Sequence, residues 1–283
     1  MKTPARFLTL LSIAVALLST AGCHKLMARD ELNKGVQAYR NAMYEQSVEH
    51  FKNAVALDED LKVAKLYLAT AYNQQYVPGA ETPENLRMAQ QAIDEYQEVL
   101  RSDPDNVTAL RGIASLYLQL KKFDQSRDYF QKALSKDPND PELYYSVGVI
   151  DWTQAFQDAR NIKTQSGLKN EEVELNGKKD QKLCEEFKTK DGPIVDDGMK
   201  MLETAIDKRQ DYDDAMVYLN LLYLRKANDQ TCDDPEKRAE YKTAANSWSD
   251  KAMAARKKKA EEAAKKNQGG IILEATPTPA SQK

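Results

Sequence analysis

Few side chains in this sequence could do chemistry, and the three cysteines are the most informative of them. Cys23, Cys184 and Cys232 stand far apart, and the chain has only two histidines, His24 and His50. This set offers no Cys-x-x-Cys pair and no histidine-rich metal site. A phosphate-binding glycine loop, a Gly-x-Ser-x-Gly elbow and a His-Glu-x-x-His motif are also absent from the sequence. We therefore expect a protein that is not an enzyme and that holds no metal or other cofactor.

Cys23 follows a segment with the features of an export signal. Lys2 and Arg6 precede an uncharged stretch, residues 7–18, that is too short to span a bilayer comfortably. The chain then reads Leu-Ser-Thr-Ala-Gly-Cys up to Cys23, which resembles a bacterial lipobox, although Thr20 stands where that motif usually has Leu. An ordinary signal peptide followed by a chance cysteine is the alternative interpretation.

The lipobox resemblance implies a location for the protein. It predicts a signal peptide over residues 1–22 and a lipidated tether over residues 23–27, with acyl chains such as palmitate on Cys23. The protein would be exported and anchored by lipid in a membrane of the cell envelope. Because residue 24 is His rather than the Asp that marks inner-membrane retention in enteric bacteria, we expect the outer membrane, with the protein facing the periplasm.

The composition favours a helix-rich globular chain and excludes several function classes. The 283 residues include 41 Lys and Arg against 44 Asp and Glu, which gives a formal charge of −3 and a pI of about 5.7. Nucleic-acid binders usually show a basic face and a high pI, so nucleic acid is not an expected partner. A mean hydropathy of −0.70 excludes a multi-span membrane protein.

After the export segment, small and aromatic residues recur with a period of about 34 residues. The unit over residues 107–140 shows the pattern at Leu110, Ile113, Ala114, Tyr117, Phe123, Ser126, Phe130, Ala133 and Pro138. Residues 28–61 repeat it with Gly35, Ser47 and Phe51 in corresponding places. This pattern resembles the tetratricopeptide repeat (TPR), a pair of antiparallel helices.

The TPR resemblance implies an all-α fold, a right-handed TPR-type helical solenoid of about five helix-turn-helix repeats, because one repeat cannot bury its own apolar face. The expected repeats are 28–61, 62–106, 107–140, 141–212 and 213–256. A charged capping helix over 257–266 and a disordered tail over 267–283 would follow. Attraction of the basic helix to anionic phospholipid or cell-wall polymer is the alternative to a capping role.

Insertions interrupt the second, fourth and fifth repeats. They are expected near residues 74–84, over residues 156–195 and over residues 228–234. The long insertion of the fourth repeat is either a lid or docking element over the groove or a solvated excursion, and Val173 to Lys178 could form a strand pair. Cys184 and Cys232 fall in insertions of adjacent repeats. In an oxidising compartment they are candidate disulfide partners, and two free thiols are the alternative.

In the repeat family, ligands usually lie along the concave face, which the first helix of each pair forms. The family pattern places aromatic, amide and basic side chains of this chain on that face. The candidate partner-binding residues are Tyr39, Arg40, Asn73, Gln74, Arg111, Gln119, Tyr145 and Trp152. This set lacks the Lys and Arg cluster with which chaperone-binding members clamp a C-terminal carboxylate, so an extended peptide or a helix of a protein partner would suit it better.

These expectations describe a membrane-anchored, non-catalytic protein-interaction scaffold of the bacterial envelope. The alternative is an envelope binding module for a glycan or small solute, in which Tyr145, Trp152 and the long fourth-repeat insertion would form a pocket. An enzyme is the weakest of the three hypotheses, because the sequence shows no arrangement of nucleophile and base.

Overall fold

The computed structural model describes residues 23–168, 174–177, 180–232 and 234–269, and this part of the chain is all-α. Its helices are α1 (residues 23–40), α2 (Tyr44–Leu57), α3 (Lys62–Gln75), α4 (Pro83–Ser102), α5 (Val107–Gln119), α6 (Phe123–Lys136), α7 (Pro141–Gln165), α8 (Gln181–Lys190), α9 (Gly192–Lys208), α10 (Asp213–Asp229) and α11 (Pro235–Gly269). The chain divides into two compact units, Met1–Pro138 and Asn139–Lys283, which we call unit 1 and unit 2. The signal peptide expected over 1–22, and residues 270–283 of the expected tail, lie outside the described residues.

Short polar side chains set the starts of several helices. At the start of α4, Oγ1 of Thr82 accepts the N–H of Asn85 at 3.3 Å, and Pro83 is the first helical residue. At the start of α7, Oδ1 of Asp140 accepts the N–H of Glu142 at 2.9 Å, again with a proline in the first turn. Such caps satisfy amide groups that have no partner inside the helix. The helix start that the sequence predicts at Thr82-Pro83 is confirmed.

Unit 1 consists of the helix pairs α1–α2, α3–α4 and α5–α6, in which a small residue of one helix meets a large residue of another. A Cβ on Gly35 would lie 2.5 Å from Cδ1 of Phe51, so only glycine leaves room for this ring. The Ser47 hydroxyl donates to the carbonyl of Gly35 at 3.0 Å. Ser126 donates in the same way to Ala114, at 2.7 Å and over the same separation of 12 residues. The repeating sequence pattern thus corresponds to repeating contacts.

Unit 2 contains the helix pairs α7–α9 and α10–α11, with α8 inserted in the first pair. The helices α7 and α9 approach closely at Gly148, where a Cβ would lie 2.5 Å from Cγ of Leu202 and 3.2 Å from the carbonyl oxygen of Gly198. The buried core of this unit includes Ala155, Val195, Leu202, Ala205, Leu219 and Leu222. The expected fold class, an all-α array of TPR-type helix pairs, is confirmed.

The helices at both ends of the array are longer than the sequence indicates. Residues 23–27, expected as a tether, are helical and belong to α1. The capping helix expected over 257–266 is not a separate element, because α11 continues unbroken to Gly269. No glycine or proline interrupts residues 236–268, so nothing in the sequence ends the helix between its packed part and its charged part.

The long insertion of the fourth repeat contains more helix than expected. The helix α7 runs past the expected start of the insertion to Gln165, and α8 and the start of α9 occupy its second half. Of the expected strand pair, Val173 and Lys178 lie outside the described residues, and residues 174–177 are not a strand. Instead, the N–H of Leu175 donates to the carbonyl of Asn228 at 2.9 Å, so this segment pairs with the end of α10.

Candidate functional site

Two of the predicted partner-binding residues, Tyr145 and Trp152 of α7, belong to one row of half-buried rings in unit 2. Tyr218 of α10 stands between them, with its ring centroid 5.7 Å from that of Tyr145 and 5.2 Å from that of Trp152, edge to face in both contacts. Phe156 stacks on Trp152 at 5.4 Å. We call Tyr145, Tyr218, Trp152 and Phe156 the aromatic row. Each of its rings keeps part of its surface in solvent.

Tyr145 is held at one end of the aromatic row by a hydrogen-bonded group. Its ring packs on that of Tyr212, with centroids 5.0 Å apart. The Tyr212 hydroxyl donates to Oε2 of Glu142 at 2.5 Å, and Arg209 donates to Oε1 of the same carboxylate at 2.6 Å. Burial, together with nearby Tyr218, raises the pKa of Tyr145 to about 12. The Tyr145 hydroxyl therefore stays protonated at neutral pH and can donate a hydrogen bond.

The other end of the aromatic row adjoins buried charges. The guanidinium carbon of Arg225 lies 5.6 Å from the ring centroid of Phe156, and its Nη1 donates to Oδ2 of Asp229 at 2.8 Å. Nζ of Lys163 lies 2.5 Å from Oδ1 of Asp229, and both of these side chains are fully buried. We call Lys163, Arg225 and Asp229 the buried charge cluster. Because buried charges are costly unless they are paired, this cluster fixes α7 against α10.

A further carboxyl, Asp191 at the junction of α8 and α9, interacts with the buried charge cluster. It is 1% exposed, and neither of its oxygens has a hydrogen-bond partner among the described residues. Burial and the neighbouring carboxylates of Asp158 and Asp229 raise the pKa of Asp191 to about 7, against the opposing effect of Arg225 and Lys190. Asp191 therefore changes its charge near neutral pH.

The long insertion is attached to the connection between α10 and α11. The structure joins Cys184 of α8 to Cys232 in a disulfide, with the Cα atoms 6.1 Å apart. Phe187 and Leu175 are fully buried beside this disulfide. The Arg238 guanidinium donates to the carbonyl of Leu175 at 2.7 Å. The described part of the insertion is therefore a packed element rather than a solvated excursion.

In unit 1, three predicted residues lie on α1 and α3. The side chain of Gln74 of α3 lowers the pKa of Tyr39 of α1, against the larger opposing effect of burial. The hydroxyl of Tyr96 of α4 donates to Oγ1 of Thr70 of α3 at 3.3 Å, and Asn73 of α3 also favours the charged form of this tyrosine. Burial raises the pKa of both Tyr39 and Tyr96. Tyr39 and Asn73 are thus half-buried between neighbouring helices, while Gln74 is exposed.

The remaining predicted residues of unit 1 are dispersed. Arg40 is exposed at the end of α1, and Arg111 is half-buried in α5. Gln119 lines a cleft of about 520 Å³ between the turn that follows α5 and the insertion of the second repeat, Tyr76 to Glu81. The structure does not bring these residues together into one site within unit 1.

Several residues that organise these surfaces were not predicted. Asn85 holds the second-repeat insertion, because its Nδ2 donates to the carbonyls of Val77 and Ala80 at 2.8 and 2.6 Å and its Oδ1 accepts the N–H of Val77 at 2.7 Å. The sequence signal for Asn85 is weak, a single amide side chain in the first turn of α4. Phe156 and Tyr218 were recoverable, since Phe156 follows Trp152 by one helical turn and Tyr218 lies in the first helix of its repeat.

Two further observations concern the described ranges only. No helix in them is both long and apolar enough to cross a membrane. Nor do they hold a group of three or more His, Cys, Asp or Glu side chains in an arrangement suited to a metal ion.

The chain is similar to TPR proteins in sequence and in structure. Residues 87–147, from α4 to the first turns of α7, match the family model of the tetratricopeptide repeat. No curated protein matches the chain in sequence. Among solved structures, a crystal structure of MamA protein superposes with a TM-score of 0.54 at 12% identity, over 89% of this chain and 98% of that chain.

Other MamA structures give the same result. One has a TM-score of 0.52 at 13% identity, over 80% of this chain and 96% of that chain. MamA from Desulfovibrio magneticus RS-1, from its residue 41 to its end, has a TM-score of 0.51 at 14% identity, over 78% and 94%. At such identities the likeness concerns the fold alone. Residues 87–147 therefore match the tetratricopeptide repeat in sequence, and the described helices share the fold of these solved structures.

Proposed function

We propose that this chain is a non-catalytic protein-interaction scaffold of the bacterial envelope, attached to the outer membrane through lipid on Cys23 and facing the periplasm. The anchor is supported by the lipobox-like sequence that ends at Cys23 and by the exposure of this cysteine at the start of α1. Acyl chains on one cysteine supply enough buried hydrocarbon for stable attachment when there is more than one of them.

The aromatic row of unit 2 is the main support for a function in protein–protein interaction. Large, partly exposed rings are the side chains on which binding energy in protein interfaces concentrates. The rings are fixed before a partner arrives, at one end by Tyr212 and Glu142 and at the other by the buried charge cluster. A fixed row loses little conformational freedom on binding, which favours affinity. An extended peptide or a helix of a protein partner would lie along these rings.

The same contacts disfavour the alternative, a module for a glycan or a small solute. A sugar stacks on the face of a ring, but Trp152 is already in contact with two rings, since Phe156 stacks on it at 5.4 Å and Tyr218 packs edge to face with it at 5.2 Å. The long insertion would also have to form a wall of the pocket, but its described part is bonded to the segment after α10. Leu175 donates to the carbonyl of Asn228 and Gly177 to that of Cys232, and Arg238 of α11 donates to the carbonyl of Leu175.

Photo-crosslinking in native envelopes tests the interaction function. A photoreactive amino acid at position 152, and a second at position 40, should capture a protein, while the same group at position 248 serves as the control. Trp248 is the other tryptophan of the chain, also half-buried, and it lies on α11 outside the aromatic row. The captured protein, once purified, should bind the Tyr218→Ala variant at least about tenfold more weakly than the wild type and the Trp248→Ala variant equally well. Capture of glycan alone from position 152 would favour the binding-module alternative.

A separate experiment tests the anchor. Cells that express the full chain are labelled with radioactive palmitate, and the label should appear in the wild type and vanish in Cys23→Ser. Density-gradient fractionation of the envelope should place the labelled protein with outer-membrane markers. An unlabelled wild-type chain would contradict the lipid anchor without affecting the interaction function.

A further inference from the structure

We propose that residues 23–27 of α1 lie in the surface of an anionic membrane, with the side chains of Leu26 and Met27 in the apolar part of the lipid. The proposal rests on the proposed lipid anchor, because the lipid on Cys23 determines which side of the protein faces the membrane. It adds that the protein touches the membrane with a face of its first repeat and not through acyl chains alone.

The first observation is an apolar face next to the candidate lipid-acceptor cysteine. Leu26 is 71% exposed, more than any other large apolar side chain that the structure describes, and Met27 is 54% exposed. Cys23, Leu26 and Met27 share one face of α1, because residues three and four apart are neighbours on a helix. Leu26 and Met27 follow Cys23 by about 4.5 and 6 Å along the helix axis. Acyl chains on Cys23 would therefore bring both side chains to the bilayer surface.

The second observation is the sign of the charges beside this face. Lys25 and Arg29 are exposed on α1 beside these residues, and no acidic residue occurs between Cys23 and Asp30. Basic side chains beside an apolar face are attracted to anionic headgroups, and their long stems let the charged ends reach the headgroups while the apolar face enters the lipid. The two features together fit an anionic lipid surface.

The third observation is a polar boundary on the next turn of the same face. Nζ of Lys34 lies 2.7 Å from Asp30 and 2.8 Å from Glu31, and Nδ1 of His50 lies 2.8 Å from the other oxygen of Glu31. Lys34 and His50 lower the pKa of Glu31 to about 2, so this carboxylate stays charged at any physiological pH. A bonded group of charges would not enter the apolar part of a bilayer, so the insertion ends after residues 23–27.

The contact would fix how the first repeat stands on the membrane. Ala28 is fully buried on the opposite side of α1, and α1 continues without a break into the helix pair α1–α2. No flexible segment separates Cys23 from the packed repeat within the described residues.

Site-specific crosslinking to lipid tests this proposal. The full chain is purified in detergent with p-benzoylphenylalanine at position 26 or 27, and it is reconstituted into vesicles of phosphatidylglycerol and phosphatidylethanolamine. Position 77 is the matched control, because Val77 is a similarly exposed apolar residue, and position 33 is a polar control on α1 itself. The fraction of lipid adducts, measured by mass spectrometry, should be several-fold higher at 26 and 27 than at 77 and 33. The excess should fall when phosphatidylcholine replaces phosphatidylglycerol.

The outcomes separate this proposal from the anchor on which it rests. The mass of the N-terminal peptide, measured on the same samples, reports whether Cys23 carries acyl chains. Acylated protein whose lipid adducts at 26 and 27 equal those at 77 would overturn the membrane contact and leave the anchor intact. Crosslinks from 26 and 27 to residues 1–22 or to another protein would overturn it as well, since the apolar face would then be covered by a polypeptide. An excess that persists in phosphatidylcholine would overturn the requirement for anionic lipid.

Discussion

Removing one cation from the buried charge cluster should destabilise unit 2 strongly. In Lys163→Met the apolar stem of the side chain is retained but the ammonium is lost, which leaves Asp229 fully buried with Arg225 as its remaining cation in the cluster. Breaking a buried ion pair by removing one partner costs about 3–5 kcal/mol. Because Arg225 still donates to Oδ2 of Asp229 at 2.8 Å, we expect the lower end, about 3 kcal/mol.

The two tryptophans make this loss measurable in unit 2 alone. Trp152 and Trp248 are the only tryptophans of the chain, and both belong to unit 2. Urea unfolding at neutral pH, followed by tryptophan fluorescence, therefore reports the free energy of unfolding of this unit. The matched control is Lys188→Met, which removes an ammonium at 2.8 Å from Glu185 in an exposed pair of the same unit. An exposed pair contributes less than about 1 kcal/mol.

A double-mutant cycle gives the result that would refute this reasoning. Lys163→Met combined with Asp229→Asn removes the stranded charge, so the double variant should lose less stability than the two single losses added together. If Lys163→Met costs no more than the exposed control, or if the two losses simply add, the cluster does not stabilise unit 2 as a network of paired charges.

Three other perturbations of unit 2 have defined outcomes. The pKa of Asp191 is raised on folding, so this carboxyl has its full stabilising effect below the unfolded pKa and loses it as the pH rises through the folded pKa. Unit 2 should therefore lose about 4 kcal/mol of stability between about pH 4 and pH 8. Urea unfolding over this range should show a flatter profile for Asp191→Asn, and an unchanged profile would contradict the buried carboxyl. Replacing both Cys184 and Cys232 by serine should cost about 4 kcal/mol, from a separation of 48 residues, and should abolish the effect of reductant on the melting temperature. Gly148→Ala should lower the free energy of unfolding by about 1–3 kcal/mol despite the better helix propensity of alanine, because the new methyl group would meet Leu202. Leu202→Val in the same chain should recover part of that loss, and a Gly148→Ala variant as stable as the wild type would show that α7 and α9 can move apart freely.

The helix pairs were predictable because their signals are local and repeated. The small and aromatic positions that Gly35, Ser47 and Phe51 occupy recur at fixed spacing in later repeats. In the first repeat, each of these residues makes a contact within one helix pair. The cap at Thr82 was predictable for the same reason, since a cap depends on neighbours along the chain.

The buried charge cluster and the helix α8, which lie beside the candidate site, were not predictable, because their contacts join segments that are distant in the sequence. Asp229 and Arg225 are spaced by one helical turn, but nothing in the sequence indicates that Lys163 reaches Asp229 from another helix. The helix α8 has only two buried anchors, Cys184 and Phe187, in a stretch rich in Lys and Glu, so its apolar periodicity is too short to detect. Of the predicted groove residues of unit 1, Tyr39 and Asn73 lie close to polar side chains of neighbouring helices, which a pattern within one repeat does not reveal.

The contacts at Gly35, Gly112 and Gly148 have a consequence for how such a chain can diverge. In each contact a large side chain occupies the space beside the glycine, and a methyl group on the glycine would collide with it. The large side chains are Phe51, Tyr96 and Leu202, respectively. What natural selection must preserve at these places is the combined volume of two side chains. Related sequences should therefore exchange the members of a pair together, a larger residue on one side with a smaller one on the other.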